Sequence, residues 1–589
     1  MYKRKIVSAA LSAALFSSVI FTGCAGSGNN NNSTASAGQS SAESTQTAAT
    51  LALPEDGGFG TVEYTPSNDK YRTFYEIFPY SFYDSDGNGI GDLKGITKKL
   101  DYLNDGDAKT TDDLGIEGIW LMPIMPSPSY HKYDVTDYKQ IDEAYGTLDD
   151  FKELLNESHK RNINVIIDLV LNHSSKNHPW YKQAIKELKE GKTDGYAQYY
   201  HFEKTQVDSG WRPTGVDGWY YESNFSADMP DLNLKNEKLR EEIKDIVKFW
   251  LDMGVDGFRL DAVLWFESTG NNDSIDDLKW LYDYAKSLKS DVYMVGECWT
   301  DSGTVSNYYK SGVDSFFDFA EEGATGRVST AVRSENAVEY VKSMASYQKK
   351  IKANNPDAIN TPFISNHDTG RSAGFLMSDT ERRMAACLYI LTAGNSFVYY
   401  GEEIGMTGSQ SDPDKRTGMY WSSADTTGYV PKIPGAKNKD VPEKAVDEQL
   451  KDKDSLQSFY RRVIALKNQN PEIGRGDMTA VEVGNDAAAG YICDNGGSKV
   501  LVMFNTGSKS AKVTIPEDQF KINEVRGYLL ADAGDTKETG SSGMDALNAL
   551  AGVSSQAESS AEDKADDVKE FTVSGQEITM PAYSAIVLK

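Results

Sequence analysis

The chain has few cysteines, few histidines and a shortage of positive charge. Its 589 residues hold four cysteines and six histidines. No two cysteines stand in CxxC spacing, and with Cys24 set aside, Cys298, Cys387 and Cys493 remain as an odd set. That excludes a disulfide framework and gives no thiolate zinc site. Lys and Arg number 61 against 88 Asp and Glu, a net charge of −27. A field of that sign repels phosphate backbones, so nucleic acid is excluded as a partner. It suits calcium, and neutral solutes such as sugars approach it without penalty. Hydrophobic residues at 39% and aromatics at 11% are ample for a large core, and the length exceeds one ordinary domain of roughly 100–200 residues.

The apolar run from Ile6 to Phe21 is shorter than the ~20 residues of a membrane span. It follows Met1-Tyr2-Lys3-Arg4-Lys5 and ends at Phe21-Thr22-Gly23-Cys24. A basic start, a short apolar core and small residues mark an export signal over residues 1–23. Phe21 to Cys24 resembles a bacterial lipobox, with Phe where Leu is usual. The resemblance implies lipidation at Cys24 and an exported protein anchored to a bacterial membrane, extracellular-facing or periplasmic. Residues 24–65, rich in Ser, Ala, Thr and Asn, read as a flexible tether.

From Thr73 onward β-branched and aromatic runs alternate with helical patterns. The expected strands are Thr73–Phe78, Gly118–Met122, Asn164–Leu169, Gly257–Asp261, Val292–Gly296, Ser315–Phe319, Pro362–Asn366 and Phe397–Gly401. Helical spacing over Leu239–Leu251 and Ser274–Leu288 separates some of them. This alternation predicts an α/β fold, a (β/α)₈ TIM barrel over residues 66–475. About 80 residues lie between the third and fourth strands, too many for a βα loop, so about 173–235 is an inserted subdomain after strand 3. Residues 476–589 turn to short alternating strands and predict a C-terminal antiparallel β-sandwich. Within it, about 530–569 has the composition of a disordered insertion.

Polar clusters stand at the carboxyl ends of consecutive strands, where a barrel places its site. They are Asp168-Leu-Val-Leu-Asn172-His173, Gly257-Phe-Arg259-Leu-Asp261, Gly296-Glu297-Cys298-Trp299 and Ile364-Ser-Asn366-His367-Asp368. Each alone is compatible with a helix cap or a turn. In this order they resemble glycoside hydrolase family 13, the α-amylase family, as does Met229-Pro-Asp-Leu-Asn233, and the likeness runs from Tyr71 to Lys589. It implies Asp261 as nucleophile, Glu297 as acid/base and Asp368 as the carboxylate that holds sugar hydroxyls. His173 and His367 are implied as further sugar ligands and Tyr133 as the platform beneath the ring. Arg259, two residues before Asp261, faces the same barrel mouth, and a positive charge there favours a carboxylate. Glu297 must carry a proton to act as an acid, which requires a less polar or more negative pocket. For Trp265 and Trp299, stacking on the leaving sugar and packing in the barrel stay open.

Asp84-Ser-Asp86-Gly-Asn88-Gly-Ile90-Gly-Asp92 sets oxygen ligands at alternate positions. That is calcium-loop spacing without the bidentate twelfth ligand of an EF-hand; an Asp/Gly-rich turn is the alternative. Several family members carry this loop, and the resemblance implies a structural Ca²⁺ held by Asp84, Asp86, Asn88, the Ile90 carbonyl and Asp92. A second calcium through Asn172 and Asp231 is implied for many α-amylases.

The expected function is retaining endo-hydrolysis of α-1,4-glucosidic bonds in starch and maltooligosaccharides, with α-glucan substrate and, through the lipid, a membrane as partners. The alternatives are an α-glucosidase, neopullulanase or cyclomaltodextrinase, and a non-catalytic glucan-binding lipoprotein. The chain resembles an intermediate group between oligo-1,6-glucosidases or neopullulanases and α-amylases. In exo-acting relatives an Asp three residues before the platform Tyr pairs with an Arg matching Arg416. Here that position is Tyr130, which predicts a cleft open at both ends.

Overall fold

The structure, a computed structural model, describes residues 49–60, 65–268, 270–534 and 568–589. The export signal, Cys24 and most of the 530–569 segment lie outside the described residues.

Eight parallel strands form the central sheet: β1 (Phe74–Ile77), β2 (Gly118–Leu121), β3 (Asn164–Leu169), β4 (Gly257–Leu260), β5 (Tyr293–Gly296), β6 (Ser315–Phe317), β7 (Ile359–Thr361) and β8 (Phe397–Tyr399). Their order is β7-β6-β5-β4-β3-β2-β1-β8. The seam closes where the amides of Asn395 and Phe397 donate to the carbonyls of Asn360 and Pro362 at 2.9 and 3.1 Å. This is a TIM barrel. The seventh strand ends before the expected Pro362–Asn366 segment begins. Proline has no N–H to give a ladder, and beyond it the Asn366 side chain accepts from the amides of Asp368 and Thr369 in a turn.

Side-chain alternation divides the barrel strands. Phe74, Trp120, Ile166, Tyr293, Val295, Phe317 and Phe397 fill the interior. Tyr75, Ile77, Ile119, Leu121, Val165, Ile167, Phe258 and Leu260 face the surrounding helices. Gly118 leaves room for the interior Phe74 ring, since a Cβ there would lie 2.5 Å from it. The interior parity places Glu76, Asp168 and Arg259, all buried, among aromatic rings near the mouth.

Between β3 and β4 lies the inserted segment, with the helix Pro179–Lys189 and an antiparallel sheet of Phe202–Glu203, Trp211–Pro213 and Tyr220–Glu222. A bridge between His173 and Asp231 ties its two ends together at the barrel mouth.

The C-terminal strands are β9 (Asp477–Asn485), β10 (Ala488–Asn495), β11 (Ser498–Asn505), β12 (Ala511–Thr514), β13 (Val525–Leu530), β14 (Thr572–Ser574), β15 (Glu577–Met580) and β16 (Ser584–Leu588). They form antiparallel sheets ordered β9-β10-β11-β16-β13 and β12-β15-β14. One face of the larger sheet, with Tyr491, Val500, Val502 and Phe504, joins the core of the barrel helices. The other packs Leu501, Met503 and Ile586 against Val513 and Ile578 of the smaller sheet. The amide of Leu51 donates to the Val573 carbonyl at 2.8 Å, so the start of the described chain lies along β14.

Candidate active site

Arg259 organises the site. The end of β4 aims it into the barrel, 1% exposed, where Nη1 donates to Asp261 Oδ1 at 2.7 Å and to both oxygens of Asp168 at 2.9 and 3.0 Å. Nη2 lies 3.0 Å from Glu297 Oε1. One planar fork thus holds carboxylates from three adjacent strand ends, a task that suits guanidinium and not ammonium.

Glu297 follows β5. Its Oε2 accepts from the Ala262 amide at 2.9 Å, and its own amide donates to Leu260 at 2.9 Å, so the β4 and β5 ends are laced together. Ala262 has φ +49°, a strained conformation for a residue with a Cβ. Burial pushes the Glu297 carboxyl up to about 7, with Arg259 opposing and Asp261 and Asp368 adding to the rise. Glu297 and Asp261 thus share one guanidinium, and burial still favours the protonated form of Glu297.

On the other side, Asp368 lies between two cations. His367 Nε2 is 2.9 Å from Oδ2 and Arg416 Nη2 is 2.6 Å from Oδ1. Burial opposes ionisation of Asp368, but His367 and Arg416 outweigh it and hold the carboxyl far below the usual range. Tyr133, stacked on the His367 ring with centroids 5.6 Å apart, has its hydroxyl 2.8 Å from His367 Nε2 and 3.0 Å from Asp168 Oδ2. Buried His173 has no partner for Nε2. Burial lowers its pKa while Asp261 pulls the other way.

Residues 76–476 match the family described as Alpha amylase, catalytic domain. This chain belongs to the α-amylase family. It is a glycoside hydrolase. It is 35% identical over 452 residues to Alpha-amylase 3 of Dictyoglomus thermophilum, covering 74% of this chain and 85% of that protein. It is 27% identical over 558 residues to an oligo-1,6-glucosidase of Parageobacillus thermoglucosidasius, covering 80% and 96%. The solved structure of Eubacterium rectale Amy13B matches with TM-score 0.79 at 39% identity, over 92% of this chain and 99% of that one.

Seven residues that the resemblance singled out in this α-amylase-family chain therefore meet at the barrel mouth: Tyr133, His173, Arg259, Asp261, Glu297, His367 and Asp368. Asp84, Asp86 and Asp92 form a separate cluster, their oxygens within 4.8 Å of one another. Trp299 is 48% exposed and stacks on Phe319 with centroids 4.9 Å apart. Trp265, 36% exposed, meets Phe225 edge-on at 5.9 Å. Phe225, 46% exposed, also touches the His173 ring at 5.5 Å. Both Trp rings are thus partly exposed, and Trp299 also packs on Phe319 of the barrel interior cluster. Tyr130 is not free of Arg416: its hydroxyl accepts from Nη1 at 3.2 Å.

The sequence reading gave no role to Glu76, Asp168 or Phe225. Glu76 did carry a signal, a charged residue at an interior position of an otherwise apolar strand. Phe225 carried none, because the fold of the insertion brings it to the site.

Proposed function

We propose that the protein hydrolyses internal α-1,4-glucosidic bonds of starch and maltooligosaccharides with retention of configuration. The observation that supports this best is Arg259 holding Asp261 and Glu297 together. A single fork on both carboxyls suits the separation of about 5 Å that a retaining pair needs. In the first step Glu297 gives its proton to the glycosidic oxygen while Asp261 attacks the anomeric carbon, forming a glycosyl ester and releasing the leaving sugar. In the second, Glu297 takes a proton from water, which displaces Asp261 and restores the α-configuration. Asp368, His367, His173 and Tyr133 bind the sugar being cleaved. The unpartnered His173 Nε2 has a hydrogen bond to offer there.

The endo reading is supported by the end of the cleft at Arg416, whose guanidinium pairs with Asp368 and donates to the Tyr130 hydroxyl and to the His367 carbonyl. Tyr130 brings no carboxylate to that end. Rapid loss of iodine staining relative to reducing sugar released is the expected outcome. Release of glucose alone with iodine colour persisting favours the α-glucosidase reading, in which the Tyr130–Arg416 contact itself closes the pocket.

Calcium belongs to this reading as a structural ion in the Asp84–Asp92 loop. The fit rests on oxygen chemistry alone: the three clustered carboxylates, with Asp84 and Asp92 buried, offer hard ligands. Asn88 and the Ile90 carbonyl complete the set. Asn172, whose buried Oδ1 has no partner, and Asp231 would hold a second ion. Export and lipidation at Cys24 complete the proposal, tested by release of activity from membranes in Cys24→Ser.

A further inference from the structure

Glu76 lies in β1, across the barrel from the acid/base pair, and makes one short contact. Its Oε1 is 2.6 Å from His367 Nδ1, with Glu76 1% exposed and His367 fully buried. The other ring nitrogen, Nε2, points at Tyr133 Oη at 2.8 Å and Asp368 Oδ2 at 2.9 Å.

The proton inventory of these contacts decides the form of the ring. Arg259 Nη1 donates to Asp168 Oδ1 at 2.9 Å and to the Tyr133 oxygen at 3.4 Å, and the Tyr133 hydroxyl donates to Asp168 Oδ2 at 3.0 Å. The Tyr133 oxygen can then only accept, and Asp368, paired with Arg416, is an acceptor too. Nε2 must carry a hydrogen. A Glu76 carboxylate only accepts, so Nδ1 must carry one as well. We propose that Glu76 is a positioning residue: by holding the second ring proton it keeps His367 an imidazolium, a fixed cation and donor beside Asp368 at the sugar-binding end of the site.

The groups around the ring come from every neighbouring element. Glu76 is on β1, Tyr133 beyond β2, Asp168 on β3, and Arg259 and Asp261 at the end of β4. Asp368 follows β7, Tyr399 ends β8, and Arg416 donates to the His367 carbonyl at 3.0 Å. The Trp120 ring closes one face edge-on at 5.5 Å. Burial lowers the affinity of His367 for its proton, but Asp368 and Glu76 outweigh it and raise the ring to about 9. A neutral His367 would accept at one nitrogen, turning a lone pair on Glu76 or on the acceptors at Nε2.

The charge state is read in the free protein, so the test stands apart from the proposed hydrolysis on which the functional meaning rests. ¹⁵N-histidine NMR of the full enzyme, assigned with His367→Asn, should show both ring nitrogens of His367 protonated through pH 8. Glu76→Gln keeps the shape and a hydrogen-bonding oxygen but removes the charge, and the titration midpoint should fall toward about 6.5, the ordinary histidine value. Turnover of Glu76→Gln should drop by at least about tenfold at pH 7.5 and by much less at pH 5.5, with KM and Tm little changed, because protonation at low pH restores the cation. A purely structural hydrogen bond would be restored by the amide at both pH values. A Glu76→Gln titration identical to wild type, or an equal loss of turnover at both pH values, overturns the proposal. If Glu76→Gln does not fold, the wild-type titration decides, and a neutral His367 ring at pH 7 overturns it.

Discussion

The Ala262 amide donates to Glu297 Oε2 at 2.9 Å. It reaches from the residue after Asp261, the proposed nucleophile, to the proposed acid, so the two groups share one piece of backbone. Burial holds the Glu297 carboxyl up to about 7 despite this bond and Arg259. An acid acts only while protonated, so activity is present below that value and lost as pH rises through it. kcat/KM should therefore show an alkaline limb near pH 7, falling about tenfold per pH unit beyond it. A profile flat to pH 9 would assign the acid role to another group.

Asp261→Asn and Glu297→Gln should each lower turnover by several orders of magnitude with little change in fold, because each removes a chemical role and almost no packing. General acid catalysis alone contributes about 10²–10⁴-fold. Circular dichroism and Tm test the fold, and reducing-sugar release tests turnover. Near-wild-type activity in either variant removes its residue from the mechanism. Product seen first by NMR as the β-anomer would exclude a retaining route.

Much of this site was legible because barrel sites concentrate at strand ends and the motif residues stay within a few positions of a strand. Asp261, Glu297 and Asp368 each follow an apolar run of period two or full burial, so their convergence follows from the strand order. The seventh strand was misread because Phe363 and Ile364 prolong an apolar run past Pro362, where the missing N–H ends the ladder. Glu76 stood out as the one charge among Phe74, Tyr75 and Ile77, but its partner His367 lies far along the chain, so its role was not legible. Phe225 and the pairing of Tyr130 with Arg416 depend on long-range contacts that no local pattern encodes.

Phe225 and Trp299 present exposed rings beside His173 and just beyond Glu297. Aromatic contact with a sugar face is on the order of 1 kcal/mol. Trp299→Ala and Phe225→Ala should each raise KM for maltooligosaccharides about fivefold with kcat changed less, and the double variant should act additively if the rings contact separate sugars. Unchanged KM in both variants would make these rings bystanders.

Calcium should raise Tm through the Asp84–Asp92 loop, since an ion that binds only the folded state stabilises it by about 2.7 kcal/mol at a hundredfold excess over Kd. Asp86→Ala, at the exposed edge of the cluster, should blunt this response while leaving turnover per folded molecule unchanged. If chelation leaves the wild-type Tm where it was, the loop is only a turn or its ion is too tightly held to remove.

The segment of residues 49–60 joins the sandwich to the barrel. Thr50 bridges Ser574, and Leu51 and Leu53 pack half-buried on the sandwich core. Asp56 pairs with Arg462 at 2.9 Å, and Phe59 lies beneath the Arg461 and Arg462 guanidiniums at 5.7 and 5.4 Å. Both arginines belong to the barrel-side helix Leu456–Asn468. Two half-buried leucines contribute roughly 2 kcal/mol together, and the exposed ion pair adds little. Deleting everything before residue 60 should lower Tm by a few degrees relative to a chain starting at Ala49, with kcat unchanged because no catalytic group is touched. Gly57→Ala should give part of the same loss, since its φ is +68° and a Cβ would lie 2.5 Å from the Tyr528 carbonyl oxygen. Equal melting of the two truncations would show that the segment lies against the sandwich without supporting it, and the Tm difference between them measures that support directly.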